Sequence, residues 1–214
     1  MTKKSPLSIA VFVSGTGSNL VSIYNAIQNG HLNAKIALVI SNKSTAGGLM
    51  FARENNITAI HISPNQYDDM ATYTEELLNL LKDHQVELVV LAGYLKIIPT
   101  AVVQMYKNKI INIHPALLPS FGGKGLYGKR VHQAVLDHGC KVTGATVHIV
   151  DEEYDTGGPV IQECVPVLDD DTVETLASRV LEIEHKILPK TIQLFADGKI
   201  SIQGRRVFIN RDEP

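Results

Sequence analysis

The chain predicts an α/β fold, a mostly parallel central sheet with helices on both faces, and three observations carry that expectation. Apolar segments of strand length alternate with amphipathic segments of helix length along the 214 residues. The strand-length segments are built almost entirely from Val, Ile, Leu and Ala, as in a sheet covered on both faces. Their alternation with helices implies crossover connections, and those join parallel strands.

Taken in order, a first strand over residues 8–13 runs into Ser14-Gly15-Thr16-Gly17-Ser18-Asn19-Leu20, and a helix over 18–29 follows. Free N–H groups at such a helix start, with two glycines allowing close approach, make a natural phosphate cradle. Leu20 stands where a G-x-G-x-x-G fingerprint needs its third glycine. The second strand, 35–41, ends in Asn42-Lys43 with no carboxylate for a ribose hydroxyl. NAD is therefore disfavoured, and NADP stays open only through Lys43.

A helix over 46–55, a strand over 58–61, a helix over 67–84 and a strand over 87–91 come next. The strand over 109–113 then enters Asn112-Ile113-His114-Pro115. Residues two apart on a strand share a face, so Asn112 and His114 look toward the same substrate atom. Pro115 holds His114 extended and ends the strand. An amide beside an imidazole at a strand's carboxyl end suits a carbonyl whose oxygen becomes negative.

Gly123-Lys124-Gly125-Leu126-Tyr127-Gly128-Lys129-Arg130 imitates a P-loop, but Arg130 replaces the Mg²⁺-binding hydroxyl and no buried strand precedes it. It reads as a glycine-rich surface loop over a ligand, followed by a helix over 127–139. Strands over 143–149 and 160–166, joined only by a polar loop, suit an antiparallel pair. That loop, Asp151-Glu152-Glu153-Tyr154-Asp155-Thr156-Gly157-Gly158-Pro159, has the composition of a solvated connection. Its place after a strand of the His114 sheet nevertheless makes Asp155 a candidate to orient His114 and raise its pKa, keeping it charged or ready to donate.

The segment from Asp169 to Glu174 reads as a helix N-cap with Glu three residues on. Leu176, Val180, Ile183 and Ile187 form one stripe of the helix it opens, and Pro189 is expected to kink or interrupt it. Residues 199–210, with Gly204 in the middle, suit a terminal hairpin. With no repeat, low-complexity segment or linker, residues 1–214 read as a single domain. Glu184-His185 reads by position as helix surface. His61 and His148, placed in strands, read as core residues, and His31, His84 and His138 lie near helix ends. Without a metal-ligand spacing, no metal is expected.

A hydrophobic share of 44% and a net charge of −2 give no reason to expect a nucleic-acid or membrane partner. Cys140 and Cys164 fit a reducing, cytoplasmic location better than a disulfide scaffold. Lys3-Lys4 before the apolar run imitates a signal peptide, but the run is short and suits a strand.

Strand-Ser-Gly-x-Gly-Ser-Asn-Leu, Ser41-Asn42-Lys43, Leu91-Ala92-Gly93-Tyr94, Asn112-Ile113-His114-Pro115 with Leu117-Leu118-Pro119, Asp155-Thr156-Gly157 and Glu184-His185 occur in a single order. This set resembles the phosphoribosylglycinamide formyltransferases, the folate-dependent glycinamide ribonucleotide transformylases of purine synthesis, over essentially the whole chain. The resemblance implies a Rossmann-like formyltransferase fold and formyl transfer from 10-formyltetrahydrofolate, as co-substrate, to the amine of glycinamide ribonucleotide. It implies Asn112, His114 and Asp155 as catalytic residues, and Gly17, Ser18, Asn19 and Glu184 as ribonucleotide-binding. Its folate pocket falls on Leu95, Lys96, Ile97, Ile98, Asn112, Asp151, Glu152, Glu153, Tyr154 and Asp155. Met70 belongs to the same set, at a position where some relatives carry a basic residue.

Two other formyl-group families share features with this chain. A methionyl-tRNA formyltransferase needs further chain and a basic surface. A formyltetrahydrofolate deformylase carries a preceding regulatory domain and usually a second His where Pro115 stands. A non-catalytic Rossmann-type nucleotide-binding module has no use for the Asn/His/Asp set. Cys140 lacks an evident basic partner, so a thiol nucleophile is not expected.

Overall fold

In the computed structural model, which describes residues 5–210, a seven-stranded sheet forms the centre. Its strands are β1 (Leu7–Val13), β2 (Ala34–Ser41), β3 (Ala59–His61), β4 (Leu88–Leu91), β5 (Ile110–His114), β6 (Val142–Ile149) and β7 (Pro159–Pro166). They lie in the order β3-β2-β1-β4-β5-β6-β7. The first five are parallel, whereas β6 runs antiparallel to both β5 and β7. Lys3 and Lys4, the basic pair before the first strand, lie outside the described residues.

Alternate residues of β1 explain why both faces need cover. Ile9, Val11 and Val13 enter one core with α1 (Ser18–Gln28), α2 (Gly47–Glu54), α5 (Lys129–Asp137) and α6 (Val173–Ala196). Ala10 and Phe12 enter the other with α3 (Met70–Asp83) and α4 (Thr100–Met105). A strand buried on both sides reads as a continuous apolar run, as this one does. The terminal hairpin, β8 (Ile200–Gln203) and β9 (Arg206–Ile209), stands where expected and packs beside β7.

Three local expectations are corrected, and one short helix was not expected. Residues 64–66 form a short 3₁₀ turn and α3 starts only at Met70, because the Asp69 carboxylate accepts the Thr72 N–H and caps it there. The short α4 had no periodic signature long enough to read. The cap of α6 is Thr172, in a reciprocal box with Thr175, while Asp171 accepts the Leu168 N–H and pairs with Arg179 at 2.6 Å. Pro189 does not interrupt α6. The His185 carbonyl that a helical N–H at position 189 would have reached accepts the Ser22 hydroxyl of α1 at 3.4 Å instead.

Candidate active site

The sheet order turns back between β1 and β4, and the carboxyl ends of the strands on either side open a crevice there. On the β1 side, Gly17 closes the turn into α1 at φ +84°, and a Cβ there would meet the Gly48 Cα at 2.7 Å. Glycine is thus required twice over, by the left-handed backbone and by the close approach of α2. The start of α1 carries no side-chain cap, so its first N–H groups stay available to an anion. Asn19 is buried and donates its amide to the Glu184 carboxylate at 2.7 Å. Glu184 is only 9% exposed, which overturns its assignment to the helix surface. Burial pushes its pKa up to about 7, against the pull of the Asn19 amide.

On the other side, β5 brings Asn112 and His114 to one cavity of about 150 Å³. His148 of β6 lies directly opposite Asn112 in the antiparallel register, with its Nε2 3.0 Å from the Asn112 amide nitrogen. The Ile149 carbonyl lies 2.9 Å from the other ring nitrogen, Nδ1, and accepts its proton. The Asn112 amide and the His148 ring thus meet edge to edge at the cavity wall. His148, which reads by position as a core residue, is thus both buried and part of the site. Its only signal in the sequence was cross-strand register, which needs the sheet to be known.

His114 donates through Nε2 to the Phe121 carbonyl at 2.8 Å, so Nδ1 is the basic nitrogen. That nitrogen lies 3.7 Å from Asp155 Oδ2, and Asp155 Oδ1 lies 3.5 Å from His148 Nε2. Asp155 sits at φ +55° and accepts the Gly123 N–H at 2.9 Å. Burial works to raise its pKa, yet the His148, Gly123 and His114 contacts bring it below the usual carboxylate range. His114 departs from expectation. Burial lowers its pKa by more than Asp155 and the Phe121 carbonyl raise it, so the ring is not held charged. His132 of α5, also buried, is pushed down to about 4 by burial and by the nearby His114.

The rest of the cavity wall comes from Leu95, Lys96, Ile97 and Ile98 after β4, and from Asp151, Glu153, Tyr154 and Asp155 after β6. The glycine-rich loop adds Gly123, Gly125, Leu126, Tyr127 and Gly128. Met70, 54% exposed at the start of α3, does not line this cavity. Glu152 also turns away, accepting the Gln104 amide on the far side of its loop. Among the described residues no group of three or more His, Cys, Asp or Glu is arranged to hold a metal ion. No helix among them is long and apolar enough to cross a membrane.

A mostly parallel sheet with an anion-ready helix start after β1, and with an amide, an imidazole and a carboxylate on one cavity at the ends of β5 and β6, has the side-chain set that acyl transfer needs. The formyl transferase family model matches residues 7–192, and the chain belongs to that family. The particular relatives are phosphoribosylglycinamide formyltransferases. The Haemophilus influenzae one is 35% identical, over 94% of this chain and 93% of its own length. The chloroplastic one of Vigna unguiculata is 43% identical over 90% of this chain, which spans 62% of that relative's length. Among solved structures, glycinamide ribonucleotide transformylase 1 from Symbiobacterium toebii superposes with a TM-score of 0.91 at 39% identity. That match covers 98% of this chain and 96% of the other.

Proposed function

We propose that this chain, acting as one formyltransferase domain, moves the formyl group of 10-formyltetrahydrofolate to the amine of N1-(5-phospho-D-ribosyl)glycinamide in purine biosynthesis. The observation that carries this is the convergence of Asn112, His114 and Asp155 on one cavity, with the Gly17–Asn19 helix start and Glu184 on the same sheet edge. The phosphate of the acceptor binds the first N–H groups of α1, and Glu184 takes its polar ribosyl part. The folate lies against Leu95 to Ile98 and the loop 151–155.

The amine then attacks the formyl carbon and a C–N bond forms, leaving negative charge on the formyl oxygen. The Asn112 amide N–H donates to that oxygen. His114 Nδ1 accepts the proton released from the amine, and the Asp155 carboxylate stabilises the imidazolium so formed. The same proton passes to folate N10 as its bond to the formyl carbon breaks, releasing tetrahydrofolate. No covalent enzyme intermediate is needed.

The test is release of tetrahydrofolate from 10-formyltetrahydrofolate, followed with and without glycinamide ribonucleotide. Release that requires the ribonucleotide is expected, and His114→Ala or Asn112→Ala should lower turnover by about 10²–10³-fold. Release without any acceptor would instead make the chain a hydrolase. Near-normal turnover in either variant would remove that residue from the mechanism.

A further inference from the structure

At the sheet's reversal point the chain leaves β1 and β4 in opposite directions. After β1 it passes to α1 and the first core; after β4 it passes to Tyr94, Ile98 and the second. The loop assigned to the ribonucleotide and the wall assigned to the folate therefore belong to different layers. One side chain joins them. Ser14, 3% exposed, donates its hydroxyl to the Asn42 side-chain oxygen at 2.5 Å and accepts the Leu95 N–H at 2.9 Å. Its own N–H donates to the Gly93 carbonyl at 3.1 Å. A single hydroxyl thus ties the ends of β1, β2 and β4 together, three residues before Gly17 and at the first residue of the folate wall.

We propose that Ser14 is a positioning residue that laces the acceptor loop to the donor wall, so that occupation of one substrate site favours occupation of the other. The proposal rests on the formyl-transfer reading above. Its physical basis is that the buried Ser14 hydroxyl, with few partners to choose from, holds the Leu95 N–H and the Asn42 side-chain oxygen at once. Leu95 bonds to Ser14, and Ser14 in turn fixes where the Gly15–Asn19 loop starts. A ligand that orders either loop removes part of the freedom the other ligand would have to remove.

The experiment uses glycinamide ribonucleotide and tetrahydrofolate, a pair with no formyl group to transfer, in equilibrium titrations of each with and without the other. Turnover of the native chain is measured first, because its absence would sink the functional reading and not this one alone. In the native chain each ligand is expected to tighten the other by about fivefold or more, with equal factors in both directions. In Ser14→Ala that factor should fall to about one, and Ser14→Thr, which keeps the hydroxyl, should restore it. Asn42→Ala, which removes only the acceptor, should give an intermediate factor and serves if Ser14→Ala does not fold. A native chain that turns over without coupling, or a Ser14→Ala protein that keeps the full factor while losing only thermal stability, would overturn the proposal.

Discussion

The side chains of this site are tuned by burial first and by partners second. For Glu184 the folded pKa, about 7, lies above its ordinary 4.5, so the folded state holds a proton that the unfolded state has released. Stability from that proton is full below pH 4.5 and is lost as pH rises through about 7. Glu184→Gln removes the titration while keeping an oxygen for the Asn19 amide. The free protein should gain on the order of 2–3 kcal/mol at pH 8, read from urea unfolding, and should lose ribonucleotide affinity. No gain at pH 8 would mean that Glu184 is not desolvated. For His114 the balance has the opposite sign, burial lowering what Asp155 raises. Asp155→Asn removes the raising partner and keeps a residue type that tolerates φ +55°. The His114 ring, followed by NMR titration, should therefore take up its proton at still lower pH; an upward shift would refute the pairing. Of these residues, Asn112, His114 and Asp155 were legible because chain direction and loop placement are local signals. Glu184 by position, and His148 and His132, were not, because their burial depends on which strand or helix lies opposite.

The elements were legible to within a few residues where strands were wholly apolar or helices long, and the failures have local causes. Asp69 took the cap that placed the start of α3, and α4, six residues long, has too few turns to show a stripe. Pro189 is the instructive failure, because a rule about one helix was overruled by its neighbour. The carbonyl freed by proline faces α1, where Ser22 supplies a donor. This makes a prediction that concerns two helices at once. In the native background Ser22→Ala strands the His185 carbonyl and should cost about 1 kcal/mol. In a Pro189→Ala background the helix has its own N–H for that carbonyl, and Ser22→Ala should cost close to nothing. Urea unfolding of the four proteins gives the coupling directly. Equal costs in both backgrounds would show that Ser22 plays no part in accommodating the proline.

Across the whole molecule, the acceptor half of the site hangs on β1, α1 and α6, and the catalytic loop hangs on β6, β7 and the terminal hairpin. That hairpin, residues 200–209, lies beyond the 7–192 matched by the family model, yet it touches the loop that carries Asp155. The Arg205 guanidinium donates to the Thr156 carbonyl, one residue from Asp155. Gly158 sits so close that a Cβ would stand 2.2 Å from the Arg205 carbonyl oxygen. On the inner side, a Cβ on Gly157 would stand 1.8 Å from the Ile149 carbonyl oxygen. Gly157 and Gly158 thus sit in a clamp between strand and hairpin. Gly158→Ala must therefore push the loop and the hairpin apart, and with them the Asp155 carboxylate. A displacement of that size should lower turnover by about 10–100-fold. Ribonucleotide affinity should stay within about twofold, because Gly17, Asn19 and Glu184 belong to other elements and distant sites behave nearly independently. Turnover and affinity falling together would show that the hairpin holds the whole molecule, whereas a fall in turnover alone assigns it to the catalytic loop.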